Sequence, residues 1–169
     1  MVSSSPSLNA PARAVVRVPS LTRVLRACLR ELERSGLPRH LTQPSTAERS
    51  YLQLTPAALG CEAWLIRWPP GSSAPLHDHG SARGLAQVVR GSLHEWRCTP
   101  GTREITSRTW SPGEAIALPF GTFHEVRNLG PCDAYSVHVY DPKLDHMTFY
   151  ERDSAGELRP LHREQREAW

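Results

Sequence analysis

The sequence predicts an all-β sandwich or barrel with a short helical segment in front of it. Three observations carry this. From about residue 61 the chain breaks into short alternating runs separated by turn clusters such as PPGSS (69–73), TPG (99–101) and SPG (111–113), the pattern of many short strands. Only one stretch, near the start, has a helical period. The 169 residues, 39% of them hydrophobic, suffice for one buried core and one domain.

The elements follow in chain order. Residues 1–19 (MVSSSPSLNAPARAVVRVP) are Ser- and Pro-rich, lack the apolar centre of an export signal and read as a flexible lead-in. Residues 20–44 form a helical segment that packs on the β unit. Leu21, Val24, Leu25, Cys28, Leu29 and Leu32 fall at i, i+3, i+4, i+7, i+8 and i+11, one apolar stripe. Ser20 is the expected N-cap and Gly36 the stop. Arg23, Arg26, Arg30, Glu33 and Arg34 lie off the stripe as a solvated face. Residues 45–169 form the β domain. Its expected strands are Glu62–Trp68, Leu85–Val89, Ser92–Cys98, Arg103–Thr109, Ala115–Pro119, Phe123–Arg127, Ala134–Tyr140, Met147–Glu151 and Glu157–Leu161.

Composition excludes some functions. The net charge is +3, carried by 19 arginines and the single Lys143, with acidic residues interleaved and no basic block. A nucleic-acid partner would want a clustered basic face with stacking aromatics, so none is expected. No run approaches the ~18 apolar residues of a membrane span. Cys28, Cys61, Cys98 and Cys132 stand far apart without CxxC spacing, and read as reduced thiols of a cytoplasmic protein.

The histidines carry the chemistry. His77 and His79 flank Asp78 in PLHDHGS, so on an extended chain both imidazoles point to one face. His124 follows in PFGTFHEVRN. Two imidazoles from one strand and a third from a neighbour can hold one face of a metal ion and leave the rest open. Imidazole suits Fe, Zn, Cu or Ni. Asp78, between two inward histidines, points away and stabilises the turn. His40, His94, His146 and His162 have no partner at ligand spacing.

The frame around these histidines has a fixed spacing. Gly71 is followed after five residues by His77, Asp78 and His79, after four more by Gly84 and after six more by Gly91. Gly113 is followed after five residues by Pro119, Phe120 and Gly121, after two more by His124 and after three more by Asn128. This resembles the two motifs of the cupin superfamily, which implies a jelly-roll barrel with a metal inside. The usual cupin has a glutamate as fourth ligand where this chain has Gly84. With three histidines, HDHG and SVHVY, residues 45 to 165 are similar to the thiol dioxygenases typified by cysteine dioxygenase, bacterial type.

That resemblance implies a set of roles. His77, His79 and His124 would hold Fe(II), with Ni, Mn or Zn as other ions that three imidazoles accept. Ser136, His138 and Tyr140 would form a relay, and a strand's period of two puts all three on one face. A cis peptide is expected at Asp141–Pro142. No cysteine–tyrosine cross-link is expected, because Gly84 occupies the cysteine's position. Glycine there would leave room for an anionic substrate. The substrate's carboxylate needs an arginine, and ungapped alignment puts Tyr51, Leu52 or Leu54 at its position. Arg49 fills the role if about three residues are inserted before Trp64. Strand parity turns Ile66 and Trp68 with Trp64 toward the metal as pocket wall, together with Gly84 and Val126. The same parity turns Arg67, Arg83 and Arg127 outward.

The implied reaction adds O2 to the sulfur of a small thiol, L-cysteine foremost, giving the sulfinate. The partners would be the thiol and O2, and the protein a monomer or weak homodimer. Three other readings stand beside it. One is a specialised-pathway enzyme that oxidises cysteine or a related thiol beyond the sulfinate with rearrangement. Another is a different metal cupin enzyme, either a dioxygenase on a carbon substrate or an isomerase. The last is a non-catalytic ligand-binding cupin.

Overall fold

A computed structural model describes residues 20–42, 47–54 and 60–165. The lead-in expected over residues 1–19 lies outside them. Helix α1 (Leu21–Ser35) forms where the apolar stripe predicts it. Ser20 Oγ accepts from the Arg23 amide, and Gly36, at φ 75°, donates its N–H to the Leu32 carbonyl. Both ends are thus capped by the residues the sequence marks. A short second helix, α2 (Arg39–Thr42), follows.

Among the described residues eleven strands come next. They are β1 (Ser50–Gln53), β2 (Glu62–Trp68), β3 (Ser73–His77), β4 (Arg83–Arg90), β5 (Leu93–Cys98) and β6 (Ile105–Trp110). The rest are β7 (Ala115–Leu118), β8 (Phe123–Arg127), β9 (Ala134–Asp141), β10 (His146–Arg152) and β11 (Leu158–Gln165). Two antiparallel sheets result, in the orders β1-β2-β9-β4-β7 and β11-β10-β3-β8-β5-β6. This is the all-β, cupin-like sandwich that the sequence predicts.

Strands β1 and β3 were not among the expected ones. β1 is short and polar, and β3 contains Pro75, which lowers a strand reading because proline cannot donate to the ladder. β3 tolerates it through an irregularity against β8 between Ala74 and His77. Beyond it the register places His77 directly opposite His124.

Two cores result. Between the sheets, Ile66, Trp68, Val88, Leu118, Tyr140 and Phe149 belong to one buried cluster. On the outer side of the five-stranded sheet, Val24, Leu25, Cys28 and Leu32 of α1 pack on Leu65, Val137 and Val139. The helical segment therefore covers the back of the sheet whose front lines the cavity. No helix among the described residues is long and apolar enough to cross a membrane.

Candidate metal centre

His77 ends β3, His79 lies in the turn after it, and His124 sits on β8. All three are buried, and their ligand atoms lie within 4.8 Å of one another. Asp78 points away, as expected. Its Oδ1 accepts from the amides of Gly80 and Thr148, and its Oδ2 accepts from the Tyr150 hydroxyl. These bonds fasten the HDH turn to β10.

Each ring is presented in a defined way. His77 Nδ1 lies 2.7 Å from the Pro75 carbonyl, which can only accept, so the proton is on Nδ1 and Nε2 keeps its lone pair. His124 Nδ1 donates to Glu95 Oε1 at 2.6 Å. His124 Nε2 is buried with no partner, an arrangement that costs free energy unless something binds it. Burial holds the His77 pKa down at about 4 and keeps His79 and His124 well below the usual imidazole value, with neighbouring charges adding to the shift in both. Three neutral imidazoles offering lone pairs at one point fit a divalent metal ion.

Glu95 is the residue that sequence reasoning missed. It is only 3% exposed, and a buried carboxylate needs compensation. Oε1 receives His124 Nδ1–H and Arg97 Nε at 3.0 Å, while Oε2 receives Trp110 Nε1–H at 2.8 Å. With His124 neutral, its bond to Glu95 is a hydrogen bond and Arg97 supplies the counter-charge. The signal was present: Glu95 occupies the inward parity of β5 after Leu93, where an acid has no place in a purely apolar core.

Ser136, His138 and Tyr140 lie on one face of β9, linked in series. Ser136 Oγ is 2.9 Å from His138 Nε2, and His138 Nδ1 is 3.2 Å from Tyr140 Oη. Burial lowers the His138 pKa to about 4 and pushes the Tyr140 phenol well above its ordinary value, so both are neutral. The Tyr140 ring stands 5.1 Å from that of His79. The Asp141–Pro142 peptide is cis. Glu62, also buried, accepts from the Leu144 amide and anchors the loop beyond it.

The cavity in front of these groups is walled by Trp64, Ile66, Trp68 and Val126. Arg49 and Tyr51 also line it, and Arg49 is the only Lys, Arg, Asp or Glu to do so among the described residues. Arg49 reaches the cavity through the pairing of β1 with β2. Tyr51 pairs with Ile66 across β1 and β2, and Arg49 lies two residues earlier, at the same parity. Its guanidinium carbon is 5.2 Å from the Trp68 ring centroid and 5.5 Å from that of Tyr51. Leu52 and Leu54 pack instead with the helix-side core. Arg67 turns from the cavity, as parity requires, and pairs with Asp133.

Gly84 departs from its expected role. It does not line the cavity. A Cβ there would come within 2.9 Å of Tyr140 Cδ1, so the missing side chain makes room for the tyrosine ring.

Comparison with known proteins gives a family and a fold. Residues 46–153 match the family described as cysteine dioxygenase type I. Among solved structures, an oxalate oxidase is 21% identical with a TM-score of 0.55, over 70% of this chain and 67% of that one. A protein of Thermus thermophilus is 19% identical with a TM-score of 0.52, over 62% of this chain and 93% of that one. A sugar phosphate isomerase of the cupin superfamily from Silicibacter pomeroyi is 20% identical with a TM-score of 0.51, over 70% and 77%. At these identities the likeness shows the fold. The chain spans about two thirds of the oxalate oxidase's length.

Proposed function

The chain belongs to the cysteine dioxygenase type I family, and we propose that it is a non-haem Fe(II) dioxygenase converting a small carboxylated thiol, L-cysteine first, to its sulfinate. The observation that carries this reading is the convergence of three groups on one cavity: the three-histidine cluster, the Tyr140 phenol and the Arg49 guanidinium.

An Fe(II) ion held by His77, His79 and His124 would supply an open coordination face for thiolate and O2. The chain's own residues do the rest. Arg49 binds the substrate carboxylate, and its planar fork suits that partner better than a lysine would. Trp68, Ile66 and Val126 exclude water and hold the thiol's carbon chain. Neutral Tyr140, backed by His138 and Ser136, presents a hydrogen-bond donor where negative charge develops. Both oxygen atoms end on sulfur, which supplies the electrons, so no outside reductant enters. Arg49, with no acidic lining residue beside it among the described residues, favours anionic over cationic thiols.

The deciding experiment is oxygen uptake by iron-loaded protein with cysteine, 3-mercaptopropionate, mercaptosuccinate and cysteamine, with product masses recorded. A gain of two oxygens on a carboxylated thiol is the expected result. Arg49→Gln should then raise KM for that thiol about tenfold or more and leave cysteamine unaffected. Uptake with another mass change would point to oxidation with rearrangement. No uptake with any thiol, despite bound iron, would overturn the proposal.

A further inference from the structure

Trp68 touches two parts of the site that are otherwise separate. The face of its indole lies against Arg49, 5.2 Å from ring centroid to guanidinium carbon. Its edge donates Nε1–H to Ser136 Oγ at 2.8 Å. Trp68 is 2% exposed and Ser136 fully buried, so water cannot replace the hydrogen bond between them.

The second contact fixes a direction. A serine hydroxyl has one hydrogen to give and two lone pairs to fill. Trp68 takes one lone pair. If His138 Nε2 also donated to Ser136, the serine hydrogen would be buried with no acceptor, since among the described residues Ser136 Oγ bonds only Trp68 and His138. An unsatisfied buried donor is costly. Ser136 therefore donates to His138 Nε2. Neutral His138 then carries its hydrogen on Nδ1 and donates to Tyr140 Oη, 3.2 Å away. The phenol's own hydrogen is left free to point into the cavity.

We propose that Trp68 is a positioning residue that couples the substrate's carboxylate site to the hydrogen-bond chain. Its ring seats Arg49, and its N–H orients Ser136, His138 and Tyr140 so that Tyr140 acts as a donor. The kinetic part of this rests on the dioxygenase reading above; the hydrogen-bond part does not.

The test separates ring from N–H. Trp68→Phe keeps an aromatic face and removes only the donor. It should lower kcat about tenfold while KM for the carboxylated thiol stays within about twofold. Trp68→Leu removes both and should also raise KM about fivefold. Trp68→Phe combined with Ser136→Ala should be no slower than Ser136→Ala alone, because both act on one chain. A Trp68→Phe enzyme with wild-type kcat, or strictly additive losses in the double variant, would overturn the proposal. A parallel measurement needs no turnover. In ¹⁵N-indole spectra of zinc-loaded protein, the resonance assigned by its loss in Trp68→Phe should shift and exchange faster in Ser136→Ala. An unmoved resonance would refute the hydrogen-bond part. Should the wild type oxidise no thiol at all, the dioxygenase reading falls alone and this spectrum still decides the role of Trp68.

Discussion

Strand β9 is buried on both sides, and its two faces are made of different chemistry. Toward α1 it presents Tyr135, Val137 and Val139, which pack with Leu25, Cys28 and Leu65. Toward the cavity it presents Ser136, His138 and Tyr140, each hydrogen-bonded to the next. Equal burial thus has opposite meanings one residue apart. On the helix side it contributes stability through apolar area removed from water. On the cavity side it places polar groups where water cannot compete, and their value lies in what they do to a ligand. Changes behind the sheet should cost stability with activity per folded molecule preserved, and changes in front should do the reverse.

The sharpest contrast comes from His77→Ala. It should abolish metal retention and cut thiol-dependent oxygen uptake roughly 10³-fold, while unfolding of the metal-free protein stays cooperative. Metal analysis with urea melts would check both. Glu95→Gln comes next. Losing the carboxylate that orients His124 should weaken metal affinity about 10- to 100-fold, read by competition with a chelator. Wild-type affinity would show that Glu95 is only a buried charge balanced by Arg97.

Val137→Ala, between two site residues but facing α1, should destabilise the fold by about 2 kcal/mol with kcat within about twofold. A large fall in kcat would break the division between the faces. The mildest effect is expected from pH. His77 and His138 have folded-state pKa values lowered to about 4 from 6.5. The unfolded chain therefore takes up protons first as pH falls, and metal-free protein loses stability from about pH 6.5 down toward 4. By pH 6 the loss should be about 1 kcal/mol for each of these two groups. His138→Gln should flatten that slope, and urea midpoints across this range would show it.

Much of this site is legible in the sequence because its signals are local. The pairs in HDH and in Ser136, His138 and Tyr140 agree with strand parity, while the resemblance to the thiol dioxygenases is what joined them to His124 and gave them roles. Helix α1 is equally plain, since its stripe and caps lie within one segment. What escaped depends on pairing between distant strands. Glu95 gains its meaning from His124, 29 residues on, and Trp68 from Ser136, 68 residues on. Arg49 was a candidate whose geometry needed β1, a strand too short and polar to announce itself. Gly84 stands out in the sequence by its motif spacing, but only the packed tyrosine shows what fills the space.

Gly84 has a consequence for which substitutions the site accepts. A side chain at position 84 and the ring at position 140 compete for the same volume, since an added Cβ would meet Tyr140 Cδ1 at 2.9 Å and Cε1 at 3.0 Å. A side chain cannot simply be added at 84 while the phenol keeps its present place. The two positions are therefore coupled through packing: a side chain at 84 and the present place of the tyrosine ring exclude each other. A side chain at 84 should displace the Tyr140 ring, and a small residue at 140 should relieve that clash, so the two exchanges are not independent.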